Sequence, residues 1–162
     1  MPLPEKIDAT VYLGSSPKIP PIKKVVVLNV AEKPSVIKAI IQHLAGKNPK
    51  VTNYDSVAKY NPVSEFYYKI RGHPASMICT SVSGHLMNYE FPSTCKSWQT
   101  TAYDTLFTVG LNKQVHANEI ANNIRKFARR SQLLILWLDC DREGEAIAFD
   151  VLDVARQANP GI

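Results

Sequence analysis

Four carboxylates fall within seven positions in DCDREGE, residues 139–145, directly after the apolar run LLILWL. Like charges that close repel, and two of them ~4 Å apart cost 4 kcal/mol at an effective dielectric near 20. Three arrangements offset such a cost: a bound cation, a proton-transfer site, or a solvated helix start. Asp139, Asp141 and Glu143 alternate, so in an extended turn leaving a strand all three side chains point the same way. Gly144 lets the backbone bend sharply, and Glu145 falls near the positive end of the helix expected next. Clustered hard oxygens at a strand end suit Mg²⁺, which keeps several waters and takes few protein carboxylates.

Two rivals share those residues. Asp139, Asp141, Glu143, Gly144 and Asp150 fit the ligand spacing of an EF-hand calcium loop. That motif needs a helix before the loop, whereas LLILWL reads as a strand, and Asp150 stands where a bidentate Glu is usual. The plainer rival is a helix start, because acidic residues favour first turns. Metal binding is placed ahead of it here, on the expectation of a buried preceding strand and a neighbouring strand ending in Glu32. Beside such a cluster, Glu32 has the chemistry of a general acid and Lys33 that of a point charge for phosphate. By themselves the same two residues also fit helix capping and surface charge.

The elements that must position these groups follow from periodicity. KKVVVLNV, residues 23–30, reads as a buried central strand. AEKPSVIKAIIQHLAGKN follows, with Pro34 or Ser35 opening a helix, Val36, Ile37, Ile40, Ile41 and Leu44 at helical spacing, and Gly46 as its stop. EFYYKI and ASMICTSV read as two strands around the tight turn RGHP. From SGHLMNYEF to VGLNKQ the chain is long and irregular. HANEIANNIRKFARRS returns to helical spacing, LLILWLD reads as a second buried strand, and EAIAFDVLDVARQ as a second amphipathic helix. Alternating strands and helices predict an α/β fold, a mostly parallel sheet flanked by helices on both faces. Ligands in such sheets bind beyond the carboxyl ends of the strands, where both AEKPS and DCDREGE fall.

Composition sets the outer bounds. The chain has 162 residues, 45% of them hydrophobic, which suits one domain with a real core. Residues 1–22 hold five prolines and no sustained periodicity, and read as an extended or disordered leader before a domain at 23–162. No apolar run is long enough for a membrane span. Cys79, Cys95 and Cys140 are odd in number and lack a C-x-x-C pair, against a zinc site or a disulfide framework. A net charge of +5 is compatible with a polyanionic partner. Arg125, Lys126, Arg129 and Arg130 share one side of a helix, as a phosphate contact or, as the reading preferred, a solvated face. Trp98, Tyr103 and Phe107 have the chemistry to stack on bases, although packing of their loop against the domain is the expectation preferred.

Three stretches taken together, A-E-K-P-S, S-V-S-G-H-L and D-C-D-R-E-G-E, resemble the N-terminal Toprim domain of type IA DNA topoisomerases. LWLDCDREGEAIAF with TSVSGHL is similar to the topoisomerase III branch, particularly its eukaryotic members. The resemblance spans about residues 24–160. It implies that Glu32 handles the leaving-group proton beside the scissile phosphate and that Lys33 lies near that phosphate. It further implies a Mg²⁺ site of Asp139, Asp141 and Glu143, with Glu32 adjoining it. His85 matches a position near the cleft, with a hydrogen-bonded structural histidine as the equal alternative, and Arg142 falls where it could touch DNA or neutralise the acidic set.

The family's nucleophile is a tyrosine in a later domain, within an arginine-containing motif. Tyr12, Tyr54, Tyr60, Tyr67, Tyr68, Tyr89 and Tyr103 stand in no such context, so the expectation is an excised domain that does not cut DNA alone. The implied enzyme cleaves, passes and religates single-stranded DNA without ATP, and no G-x-x-x-x-G-K-[ST] phosphate loop is found. The eukaryotic branch further implies the nucleus, a RecQ-type helicase and a small OB-fold accessory protein as partners, and no membrane. The alternatives are a Toprim domain of a primase or nuclease, and a non-catalytic nucleic-acid-binding module.

Overall fold

The computed structural model describes residues 24–46 and 49–162. The leader at 1–22 lies outside the described residues. The chain runs β1 (Val25–Ala31), α1 (Pro34–Leu44), β2 (Val51–Tyr54), β3 (Val63–Ile70), β4 (His73–Ser81), β5 (Met87–Glu90), a short 3₁₀ turn (Ser93–Cys95), α2 (Tyr103–Thr108), β6 (Asn112–Val115), α3 (Asn118–Ala128), β7 (Leu133–Trp137) and α4 (Arg142–Ala158).

Five strands form one sheet in the order β2-β3-β4-β1-β7. β1 pairs in parallel with β4 on one side and β7 on the other, while β2-β3 and β3-β4 are antiparallel. Parallel strands thus form the half of the sheet that carries the motifs, and a meander closes the other half. The β3–β4 reversal is the tight turn expected. Arg71 and Gly72 both take positive φ (48° and 83°), the backbone a two-residue primed turn requires.

Alternation along β1 sends side chains to both faces. Val25, Val27 and Ala31 pack with Ile37 and Ile40 of α1, Phe66, Met77 and Cys79. Leu28 and Val30 pack on the opposite face with Ile124 and Phe127 of α3 and Ile147, Val151 and Val154 of α4. Each fully buried Leu, Ile or Val contributes roughly 1.5–3 kcal/mol, so these two layers dominate cohesion. Pro34 opens α1 with its fixed φ, behind the extended Lys33 (φ −132°, ψ 148°), and Gly46 (φ 79°) ends it.

Two expectations need correction. β7 is an edge strand among the described residues: it pairs with β1 alone, Leu133–Leu136 are half-buried and Trp137 is exposed. Its apolar residues contact helices on both faces, which gives the sequence of a buried strand without a second hydrogen-bonded neighbour. The irregular stretch after Ser81 holds an antiparallel two-stranded sheet, β5-β6. Its strands have four residues each and little apolar alternation, so periodicity does not reveal them.

The preferred readings of two side-chain groups fare differently. Lys126, Arg129 and Arg130 are exposed and Arg125 is half-buried, the solvated face preferred above, although Arg130 also donates to Glu65 and stands over the Tyr54 and Phe127 rings and Arg125 donates to Gln157 and Asn122. Trp98, Tyr103 and Phe107, expected to pack, are instead exposed (72%, 76% and 90%).

Candidate active site

The carboxyl ends of β1, β4 and β7 are stapled side by side just where the three motifs begin. The Val82 N–H donates to the Ala31 carbonyl at 2.8 Å, and the Glu32 N–H donates to the Trp137 carbonyl at 3.3 Å. A buried amide holds the same rim from within. Asn29 on β1 donates to the Val27 and Ile78 carbonyls, and its Oδ1 accepts the Trp137 indole N–H at 3.1 Å. The turns carrying Glu32, Ser83 and Asp139 therefore leave the sheet together.

Lys33 reports that convergence electrostatically. Its ammonium lies 3.0 Å from Glu32 Oε1, and it is held above the usual lysine range by that hydrogen bond and by the Glu32 charge. Asp139 and Glu143 act on it in the same direction, which puts both turns within one field. Glu32 is half-buried, while Lys33, Asp139, Asp141 and Glu143 are exposed.

The acidic turn has a dual character. α4 begins at Arg142, earlier than the glutamate expected to sit at its start. Asp141 is its N-cap, and Oδ1 accepts the Gly144 N–H at 2.7 Å. The helix-start reading thus holds for one Asp141 oxygen, with Oδ2 left over for other work. Gly144 is required by close approach: a Cβ there would fall 2.0 Å from the Asp139 carbonyl oxygen. Asp139, Asp141, Arg142 and Glu145 line an open groove of about 590 Å³ along β7 and α4.

No three His, Cys, Asp or Glu residues among those described converge as a closed metal cage. A hydrated Mg²⁺ needs only one or two protein carboxylates, fewer than such a group supplies. The carboxylate oxygens nearest the shared rim are those of Glu32 and Asp139, with the Asp141 oxygen not used by the cap and Glu143 in the first turn of α4.

His85 does not join this cluster by any hydrogen bond or ion pair among the described residues. Its Nδ1 lies 3.7 Å from Oδ2 of Asp150, in a groove of about 570 Å³ that also includes Tyr89 and Phe149. Asp150 is buried in α4 and also receives the Met87 N–H (3.3 Å) and the Lys113 ammonium (3.4 Å). Lys113 is held above the ordinary lysine range chiefly by its hydrogen bond to Asp153. Sequence reading considered Asp150 only as a calcium ligand and missed this clamp, because the partners come from residues 85, 87 and 113, far away in the chain. Arg142 is exposed at the start of α4, beside Asp141.

The Toprim domain family matches residues 27–161. The chain belongs to the Toprim family. This Toprim domain is 42% identical over 134 residues to DNA topoisomerase 3-alpha of Arabidopsis thaliana. It is 41% identical over 140 residues to DNA topoisomerase 3 of Schizosaccharomyces pombe and 34% identical over 138 residues to human DNA topoisomerase 3-alpha. These alignments take in 82–84% of the Toprim chain but only 14–22% of the relatives. The Toprim domain is thus of the topoisomerase III kind, and it spans under a quarter of the length of these relatives. None of its described helices is long and apolar enough to cross a membrane.

Proposed function

We propose that this Toprim domain supplies the Mg²⁺-binding half of the active site in an ATP-independent type IA DNA topoisomerase of the topoisomerase III kind. The observation that carries the reading is the meeting of the Glu32–Lys33 turn with the Asp139–Glu143 turn, joined by the Glu32 N–H to Trp137 bond. Asp139, Asp141 and Glu143, with Glu32 beside them, would hold the ion. Bound Mg²⁺ supplies positive charge that orients a phosphodiester and offsets the charge developing on it.

The chain's own residues do the rest. Lys33, on an exposed and flexible stem, exchanges its contact with Glu32 for a phosphate oxygen when single-stranded DNA enters. That exchange leaves the Glu32 carboxylate free to take a proton from solvent and pass it to the departing 3′ oxygen, and to take it back on religation. Arg142, beside the acidic turn, and His85, in the groove with Tyr89 and Phe149, are the further DNA contacts of this reading. The attacking tyrosine comes from a later domain, so this chain alone does not cleave. The whole enzyme acts in the nucleus in DNA recombination, with a RecQ-type helicase and a small OB-fold protein as partners.

Titration with Mg²⁺ followed by NMR tests the metal site directly. The amide signals of Asp139, Asp141 and Glu143 should shift together at millimolar metal, and shifts spread evenly over surface carboxylates would refute the site. In a longer chain bearing the tyrosine domain, Glu32→Gln should abolish relaxation of negatively supercoiled DNA while leaving the fold intact. Full relaxation by that variant would remove Glu32 from the chemistry.

A further inference from the structure

A groove of about 690 Å³ runs between α1 and the segment joining β2 to β3, starting at Pro34 and Ser35 immediately beyond Lys33. None of its ten lining residues is a carboxylate. The grooves along α4, in contrast, include Asp150, Asp153 or the acidic turn. Two lysines, Lys38 and Lys59, face this one, and Tyr60 on its wall is 76% exposed. Asn53 adds a polar group whose Oδ1 accepts from Ser64 Oγ at 2.8 Å, which turns its amide nitrogen to donate.

The loop bearing Lys59 and Tyr60 is held rigidly from beneath. Ser56 Oγ donates to the Ala58 and Asn61 carbonyls, and itself accepts from buried Asn123 of α3 at 2.8 Å. Asn61, 3% exposed, donates to the Ser81 carbonyl at 2.9 Å and to the hydroxyls of Ser81 and Ser83 at 3.1 and 3.2 Å. The same amide therefore anchors the loop to the S-V-S-G-H turn at the active rim. This loop, tied down at four points, holds the exposed Tyr60 ring with the Lys59 ammonium 5.6 Å from its centroid, so an aromatic face and a cation are presented together at the groove.

We propose that this groove is a binding subsite for single-stranded nucleic acid, with a base stacked on Tyr60 and the flanking phosphates held by Lys38 and Lys59. The occupant follows from charge and shape: cations without carboxylates suit a polyanion, and an exposed ring accepts any base face. The inference rests on the topoisomerase reading for the direction of the strand, which leaves the Glu32–Lys33 turn along α1. Stacking on a preorganised ring makes the contact tolerant of sequence.

The test is fluorescence anisotropy of a short fluorescein-labelled oligothymidylate with the 162-residue chain, at several salt concentrations. Tyr60→Ala should weaken binding about tenfold, and Tyr60→Trp should restore it, because both Tyr and Trp stack. Lys38→Gln and Lys59→Gln should each lower the slope of log affinity against log salt by about 0.7. Circular dichroism melting of each variant should match the parent. Binding that is unchanged by these substitutions but weakened by Arg142→Gln and His85→Gln would overturn the groove and leave the active-site reading standing. Absence of oligothymidylate binding by the parent chain at low salt would overturn both.

Discussion

Glu32 and Trp137, more than a hundred residues apart in sequence, share a backbone hydrogen bond of 3.3 Å where two parallel strands end. The bond continues the β1–β7 ladder by one residue past Ala31 and Trp137, which are partners in register. Its consequence is chemical, since the side chains that follow on each strand, those of Glu32 and Lys33 and of Asp139, emerge into one field.

The amide of Asn29 fixes that register from inside the sheet, so Asn29→Leu should loosen the rim. The variant leaves the Trp137 indole N–H and two strand carbonyls without this partner, a loss of about 1–3 kcal/mol. Urea denaturation measures the loss, and the Trp137 indole signal in the NMR spectrum should move away from its position in the parent. An unmoved indole signal would mean that Asn29 does not position it.

Gly144→Ala places a methyl group where the Asp139 carbonyl oxygen lies only 2.0 Å away. Backbone has to shift to admit it, at a cost of about 1–3 kcal/mol. The displacement falls on Asp139 and Asp141, so the Mg²⁺-dependent shifts of the acidic turn should weaken in the same variant. A fully stable Gly144→Ala with parental metal response would contradict the close approach.

Asp141 has two duties that substitution can separate. Asp141→Asn keeps an oxygen to accept the Gly144 N–H and should leave stability near the parent, yet lose metal response with the charge. Asp141→Ala loses the cap as well and should cost about 1 kcal/mol in addition. Equal stability of the two variants in thermal melts would remove the capping role.

Glu65 ties the distant half of the sheet together and carries a pH signature. It accepts from Tyr54 and Ser76 and pairs with Arg130 at 3.0 Å and Lys24 at 3.8 Å. Burial pushes its carboxyl up, but these hydrogen bonds and charges outweigh burial and hold it below its ordinary value of 4.5. A carboxyl lowered on folding contributes stability that is present above the unfolded value and lost as pH falls through the folded one. Glu65→Gln should therefore be less stable than the parent at pH 7, with the gap closing below about pH 4. A gap of constant size from pH 7 to pH 3 would show that charge on Glu65 does not matter.

Much of the fold was legible in the residues themselves. β1, α1, β4, α3, β7 and α4 declared themselves through periodicity, Pro34 and Gly46 marked the ends of α1, and the turn at Arg71–Gly72 fell where expected. The Toprim assignment rested on short motifs, and the Toprim family matches residues 27–161, which contain all three of them. Short polar strands such as β5 and β6 left no such trace, because four residues with mixed character carry too little alternation to distinguish a strand from a loop.

Sequence alone determined which residues have chemistry to offer: a lysine and a glutamate at one strand end, an alternating acidic set with a glycine at another. Tertiary structure alone decided who meets whom. Strand order put β7 at an edge beside β1, the Asp141 cap took one carboxylate oxygen for the helix, and Asp150 drew in His85, Met87 and Lys113 from other segments. The reason is one of range. Periodicity and capping are set by interactions within a few residues, whereas strand order and buried ion clusters arise from contacts between segments whose separation along the chain leaves no local imprint.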